Sequence, residues 1–214
     1  FKPLESQERF IDASWHRTCK VNQDGSVNCW GGAHVDCPSC NALPQSLVDN
    51  NERFTTISSG RLHVCGINTN SAVRCWGNCD GYGEREARCD ESDANNPTAV
   101  PENLRAITIG SGKEHSCVIT EDSNEVVCWG GNSEGQLNAP PNLGAATSIG
   151  VGHLHNCAVN LSGKVRCWGK NTKGQTDVPS KFAASDGQTD NELDPTHLAI
   201  HVVAGEKHTC VVNQ

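Results

Sequence analysis

Cysteine recurs in this chain in fixed company, and that recurrence limits the fold more than any other feature. One half-unit reads Gly-x-x-His-x-Cys-x-(Val/Ile), at Gly60–Ile67, Gly112–Ile119, Gly152–Val159 and Gly205–Val212. A degenerate copy, Ser14–Val21, has Arg17 in the histidine place. The other half reads Val-x-Cys-Trp-Gly, at Val27–Gly31, Val73–Gly77 and Val165–Gly169, with a shortened form at Val127–Gly130. Two copies run on into Asn-x-x-Gly-Gln and then Pro, at Asn132, Gly135, Gln136, Pro140 and at Asn171, Gly174, Gln175, Pro179. The first-half cysteines stand at 19, 65, 117, 157 and 210, in steps of 46, 52, 40 and 53. A period of this size with variable joints marks a repeat architecture.

Within each unit the pattern is that of strands. Cys65-Gly66-Ile67 and Val73-Arg74-Cys75 flank the polar stretch Asn68 to Ser71, which predicts a hairpin. Ala106–Ile109, Thr147–Ile149 and Ile200–Val203 predict a further strand ahead of each hairpin, and no segment sustains a helical period. Short strands at regular spacing with glycine punctuation predict an all-β propeller. The units fall at about residues 1–46, 47–100, 101–142, 143–196 and 197–214, the last incomplete, within a single domain or a portion of one.

These units resemble the RCC1 family repeat, in the disulfide-bearing Cys-Trp-Gly variety of secreted bacterial repeat proteins and of CRINKLY4-type receptor ectodomains. A bacterial β-lactamase inhibitor protein has a similar propeller without the cysteines. The resemblance covers nearly the whole chain. It implies a β-propeller, commonly seven-bladed, that binds partners through its loops. The nucleotide-exchange activity of the family's nuclear members is not carried over, because fold does not fix function.

The hairpin cysteines are ten or eleven residues apart: Cys19/Cys29, Cys65/Cys75, Cys117/Cys128 and Cys157/Cys167. Opposed residues on antiparallel strands lie about 4.5–5.5 Å apart, within a disulfide's reach. Cys37/Cys40 and Cys79/Cys89 are further expected pairs, and Cys210 is left over. A rival scheme links neighbouring units as Cys29/Cys65, Cys75/Cys117, Cys128/Cys157 and Cys167/Cys210, and leaves Cys19 over. Local geometry favours the hairpin scheme; the rival stays open.

Thirteen cysteines in 214 residues predict an oxidising space, secreted, periplasmic or at the cell surface. The chain starts at Phe1 rather than Met, which suggests a removed leader. The last unit lacks its Cys-Trp-Gly half, which leaves three readings: a piece of a longer protein, completion by a neighbour's strand, or closure with an irregular last blade. There are 17 basic and 25 acidic residues, for a net charge of -8, which argues against a nucleic-acid grip. No apolar run reaches the roughly 18 residues of a membrane span.

Candidate functional residues are few. His63, His115, His155 and His208 recur in register and are expected to be blade residues bonded to nearby backbone, since their spacing is not that of zinc ligands. Cys37-Pro38-Ser39-Cys40 has no thioredoxin-like setting and reads as a staple. Trp30, Trp76, Trp129 and Trp168 are expected to pack between blades; Trp15 is out of register. Insertions Asn78–Asn96 and Ser180–His197 follow the same point of the repeat and are expected on one binding face. They bring Tyr82, Glu84, Glu86, Asp90 and Asp93, and Asp186, Asp190 and Asp194. Grouped carboxylates of this kind bind Ca²⁺ in some proteins, although neither loop matches an EF-hand. Asn160-Leu161-Ser162 is a glycosylation sequon.

No phosphate loop, Gly-x-Ser-x-Gly elbow or His-Glu-x-x-His is present. The expectation is therefore a non-catalytic extracellular module that recognises a protein. The alternatives are a self-associating subunit of a surface assembly and a glycan-binding lectin. No cofactor is expected beyond Ca²⁺.

Overall fold

The structure is a computed structural model, and it describes residues 11–14, 17–31, 43–61, 63–77, 95–183 and 198–213. Cys37, Cys40, Cys79 and Cys89, the carboxylates and tyrosine of both insertions, and Trp15 lie outside them.

Among the described residues, four three-stranded antiparallel sheets follow one another along the chain, then a two-stranded one. The first holds β1 (Ile11–Ala13), β2 (Arg17–Val21) and β3 (Val27–Gly31). A short helix, α1 (Gln45–Asp49), leads to β4 (Phe54–Ser59), β5 (His63–Asn68) and β6 (Val73–Gly77). The third sheet is β7 (Ala106–Ser111), β8 (His115–Thr120) and β9 (Val126–Gly130). The fourth is β10 (Ala146–Val151), β11 (His155–Asn160) and β12 (Val165–Gly169), and the fifth pairs β13 (Ala199–Ala204) with β14 (Thr209–Asn213). Each sheet is a propeller blade.

The repeat motifs map onto register. Arg17, His63, His115 and His155 lie opposite Gly31, Gly77, Gly130 and Gly169. Two residues further in, the cysteines oppose one another, and all four hairpin bridges are formed: Cys19–Cys29, Cys65–Cys75, Cys117–Cys128 and Cys157–Cys167, with Cα atoms 4.0–4.1 Å apart. The third pair is eleven residues apart instead of ten because the turn between β8 and β9 is one residue longer. Cys210 is free and exposed among the described residues. In blades two to five the first strand carries a register shift, at Thr55, Ile107, Thr147 and Ile200. Such bulges sharpen local twist, and here they turn Ile107 and Ile200 outward, about half exposed.

The core lies between blades. Each of four apolar clusters draws on two consecutive units, for example Ile119 and Val126 from the third with Leu143, Ala146, Ala158 and Trp168 from the fourth. A three-stranded sheet has two apolar faces and no helix to cover them, so stacking blade on blade is what buries them. The middle strands β5 and β8 are buried along their whole length. Trp76, Trp129 and Trp168 enter the seam with the preceding blade and are buried. Indole Nε1 of Trp129 donates to the carbonyl of Pro97 at 2.9 Å, and that of Trp168 to the carbonyl of Gln136 at 2.8 Å. Trp30 departs from its expected packing and is 49% exposed.

The Asn-x-x-Gly-Gln stretch ties a local knot. Buried Gln136 accepts from the Glu134 amide and Asn132 from the Leu137 amide; Gln175 and Asn171 do the same for Lys173 and Thr176. Gly135 and Gly174 have φ of +80° and +74°, where an L side chain is strained.

Candidate binding face

Every blade has two ends. One carries the Gly-x-x-His turn and the closing Cys-Trp-Gly glycine; the other carries the hairpin turn between second and third strands. The turn end is built from the glycine upward. A Cβ on Gly60 would press on the His63 ring and, at 2.6 Å, on the carbonyl of Gly112 in the next blade. Gly112 stands likewise against His115 and the Gly152 carbonyl, and Gly152 against His155 and the Gly205 carbonyl. The histidine ring folds back over its own turn, and the turn abuts the neighbouring one. Amide–carbonyl bonds from Arg61 to Gly112, Lys113 to His153 and His153 to Gly205 link the turns in series.

The histidines are clasps between blades. Nε2 of His63 lies 2.8 Å from Ser116 Oγ, that of His115 2.8 Å from Asn156 Oδ1, and that of His155 3.0 Å from Thr209 Oγ1. Their partners are side chains of the next blade rather than the nearby backbone expected from sequence. Burial pushes the His63 pKa down to about 3, helped by the charges of His115 and Arg17. It pushes that of His115 down to about 4 and also lowers that of His155. Neutral rings are therefore the resting state. At the first seam both members change: Arg17 replaces histidine and Val64 stands where the others have Ser116, Asn156 or Thr209. Arg17 is buried, its Nε and Nη1 have no hydrogen-bond partner among the described residues, and burial lowers its pKa.

Residues of the five turns line a cavity of about 200 Å³. Arg61, Lys113, His153 and Glu206 line its mouth, with Asp12 and Ser59 deeper. Asp12 accepts the Ser59 amide at 2.5 Å, joining first and second blades, while its burial raises its pKa. Lys113 pairs with Glu114 at 2.7 Å and Lys207 with Glu206 at 2.8 Å, so the rim carries both signs. Burial, and then Lys113, lowers the His153 pKa. Rim residues occupy the two x positions of Gly-x-x-His. The motif alone does not single them out, although their variation inside an otherwise fixed pattern is the available signal.

The described residues that flank the two insertions lie at different ends of their blades. The segment 78–94 leaves from Gly77, at the turn end, as does 32–42 from Gly31. Segment 184–197 is anchored at the opposite end. Ala183 bridges Val165 at the start of β12, and the Ala199 amide donates to Gly163 in the hairpin turn. Tyr82, Glu84, Glu86, Asp90 and Asp93 belong to the segment leaving the turn end. Asp186, Asp190 and Asp194 belong to the segment held at the hairpin end. All of them, and any Ca²⁺ bound by them, lie outside the described residues. Asn160 is also at the hairpin end, where its side-chain oxygen accepts from the Ser162 and Lys164 amides at 3.0 Å, as Asn68 does from Asn70 and Ala72.

Among the described residues no group of three or more His, Cys, Asp or Glu side chains is placed to hold a metal. No helix among them is long and apolar enough to cross a membrane.

Blades stapled at their hairpins, packed through indoles and clasped by histidines define an all-β propeller of repeated units. Residues 106–136 and 146–175, the third and fourth units, match the Regulator of chromosome condensation (RCC1) repeat. No curated protein matches the chain. Among solved structures it is similar to the CRINKLY WD40 ectodomain of the Arabidopsis thaliana receptor kinase ACR4, with 26% identity and a TM-score of 0.53 over 74% of this chain and 48% of that one. It is similar to the ectodomain of the Physcomitrella patens receptor kinase CR4, with 22% identity and a TM-score of 0.65 over 95% and 48% of the two chains. Prp20p of Saccharomyces cerevisiae shares the fold at 18% identity and a TM-score of 0.68 over 95% and 54%. The chain thus spans about half the length of each of these structures.

Proposed function

We propose that this propeller is a non-catalytic extracellular module that recognises a protein partner through its turn-end face. The observation that carries the reading is the rim. Four glycine-anchored turns hold the varying pairs Lys113-Glu114, His153-Leu154 and Glu206-Lys207, together with Arg61, beside one cavity, and segments 32–42 and 78–94 start from the same end, after Gly31 and Gly77. A rigid frame with variable residues at fixed points suits recognition, since little is lost in ordering it on binding. Four bridged cysteine pairs support an oxidising location, and the likeness to a receptor-kinase ectodomain supports the same location and a binding role.

The test uses the oxidised chain immobilised and exposed to cell-surface proteins of its native source. Arg61→Ala with Lys113→Ala is expected to weaken retention of the captured protein about tenfold or more. Lys20→Ala with Lys164→Ala, beside the hairpin turns, is expected to leave it unchanged. Loss on the hairpin-end substitutions alone would overturn the assignment of the face.

A further inference from the structure

The hairpin turns are closed by one repeated side chain, and its surroundings change at Asn160. Register places Asn68, Thr120 and Asn160 alike, opposite Phe54, Ala106 and Ala146. Asn22 opens the first hairpin turn in the same way, its amide donating to the Ser26 carbonyl as that of Asn160 donates to Lys164. What differs is the side-chain nitrogen. Nδ2 of Asn22 donates to Ser26 Oγ at 2.9 Å, and Nδ2 of Asn68 donates to Glu52 Oε1. In Asn160 the Ser162 and Lys164 amides both donate to Oδ1 at 3.0 Å, which fixes the orientation of the carboxamide. Its Nδ2 is not buried and has no hydrogen-bond partner among the described residues.

The sequence explains the vacancy at the nitrogen. The Leu161 amide donates to the Ala145 carbonyl as the Thr69 amide donates to that of Arg53. Gly144 thus stands where Glu52 stands in the second blade, and it has no acceptor to offer. A β-carbon built on Gly144 would meet nothing within 4 Å. Leu161, at the tip of the turn, is 69% exposed. The Ser162 hydroxyl makes no hydrogen bond among the described residues; only its amide serves the turn.

We propose that Asn160 is the acceptor of an N-linked oligosaccharide carried on the hairpin end of the fourth blade. Asn160-Leu161-Ser162 is the one Asn-x-Ser/Thr sequence in the chain without a central proline. Asn96-Pro97-Thr98 has the proline, and Asn96 is 3% exposed, its Oδ1 accepting from the Thr98 amide and hydroxyl at 2.8 Å. The donor is an oligosaccharide linked to a polyprenyl diphosphate, met in a secretory pathway, so the proposal rests on the extracellular location read above. Nδ2 bonds to the anomeric carbon, and the bond from that carbon to the diphosphate oxygen breaks. The polyprenyl diphosphate leaves with the electron pair, and Nδ2 gives up one of its two protons. The product is still an amide, so Oδ1 keeps both turn bonds. On Asn22 or Asn68 the same step would set a sugar against Ser26 or Glu52. His155 begins β11 and Asn160 ends it. The sugar therefore stands about 17 Å from the turn end, at the rise of an extended strand, and leaves the proposed recognition face open.

The test secretes the whole chain, behind a cleavable leader, from a eukaryotic host that carries the transferase, beside a Ser162→Ala chain. That substitution removes the acceptor sequence and keeps the amide that the turn uses. The unsubstituted chain is expected to lose the mass of one glycan to an amidase that releases N-glycans, with the Asn160→Asp conversion located by peptide mapping. The Ser162→Ala chain is expected to show no loss, the same denaturant midpoint and the same retention of the captured protein partner. An unmodified Asn160, or a glycan that lowers the midpoint below that of Ser162→Ala, would overturn the proposal. So would an unmodified Asn160 in chain recovered from its native source; modification in the host would then put the fault in the secretory location rather than in the site. A glycan at Asn160 that blocks partner retention would confirm the site and overturn the turn-end face instead.

Discussion

Gly112 has no room for a β-carbon: the His115 ring and the Gly152 carbonyl occupy the place. Gly112→Ala must push the histidine off its clasp or force two blades apart, and is expected to cost about 2–3 kcal/mol in denaturant unfolding. The clasps also fix a pH dependence. Folded His63 and His115 titrate at about 3 and about 4, against an ordinary 6.5. Above pH 6.5 neither the folded nor the unfolded ring binds a proton, and the stabilisation is whole. As pH falls through 6.5 the unfolded ring takes a proton that the folded one refuses. Stability then drops by about 1.4 kcal/mol per pH unit for each histidine. The loss levels off near pH 4 for His115 and near 3 for His63. His115→Gln should make the slope of unfolding free energy against pH shallower over this window. A slope equal to that of the unsubstituted chain would contradict the buried neutral ring. The structural role of these histidines was legible from their register in four of the five units. Their partners were not, because Ser116, Asn156 and Thr209 hold three different residue types at one position, and only blade packing shows that they do one job.

At the scale of the blade, the hairpin bridge and the seam indole are separable contributions. Closing a loop of ten or so residues stabilises by about 2–3 kcal/mol in the chain-entropy picture, so Cys117→Ala with Cys128→Ala should lower unfolding free energy by that much while far-ultraviolet dichroism keeps its β form. Trp168→Ala empties a filled seam and should cost about 3–5 kcal/mol. Trp30→Ala, at a half-exposed site, should cost about 1 kcal/mol or less. Similar losses for both would contradict seam packing as the source of stability. The strands and opposed cysteines were readable because the period-two pattern fixes register once a turn length is known. The covering of Trp76, Trp129 and Trp168 was not readable from one unit, because the preceding blade supplies it.

Over the whole molecule, the repeat frame was legible and the direction of its joints was not. Both insertions follow Cys-Trp-Gly, but the first departs at once from Gly77. The second comes only after residues 170–183 have run from the turn end to a bridge with Val165 at the hairpin end. Counting from the motif cannot see that crossing. The face proposed for binding thus rests on the turns and on the segments that leave beside them, all held in place by stapled blades. Peptide mapping of the chain, prepared without any reductant, tests this frame most directly. The account predicts Cys19–Cys29, Cys65–Cys75, Cys117–Cys128 and Cys157–Cys167 as local bridges. Bridges joining Cys29 to Cys65, Cys75 to Cys117 and Cys128 to Cys157, or free thiols at these eight positions, would contradict it.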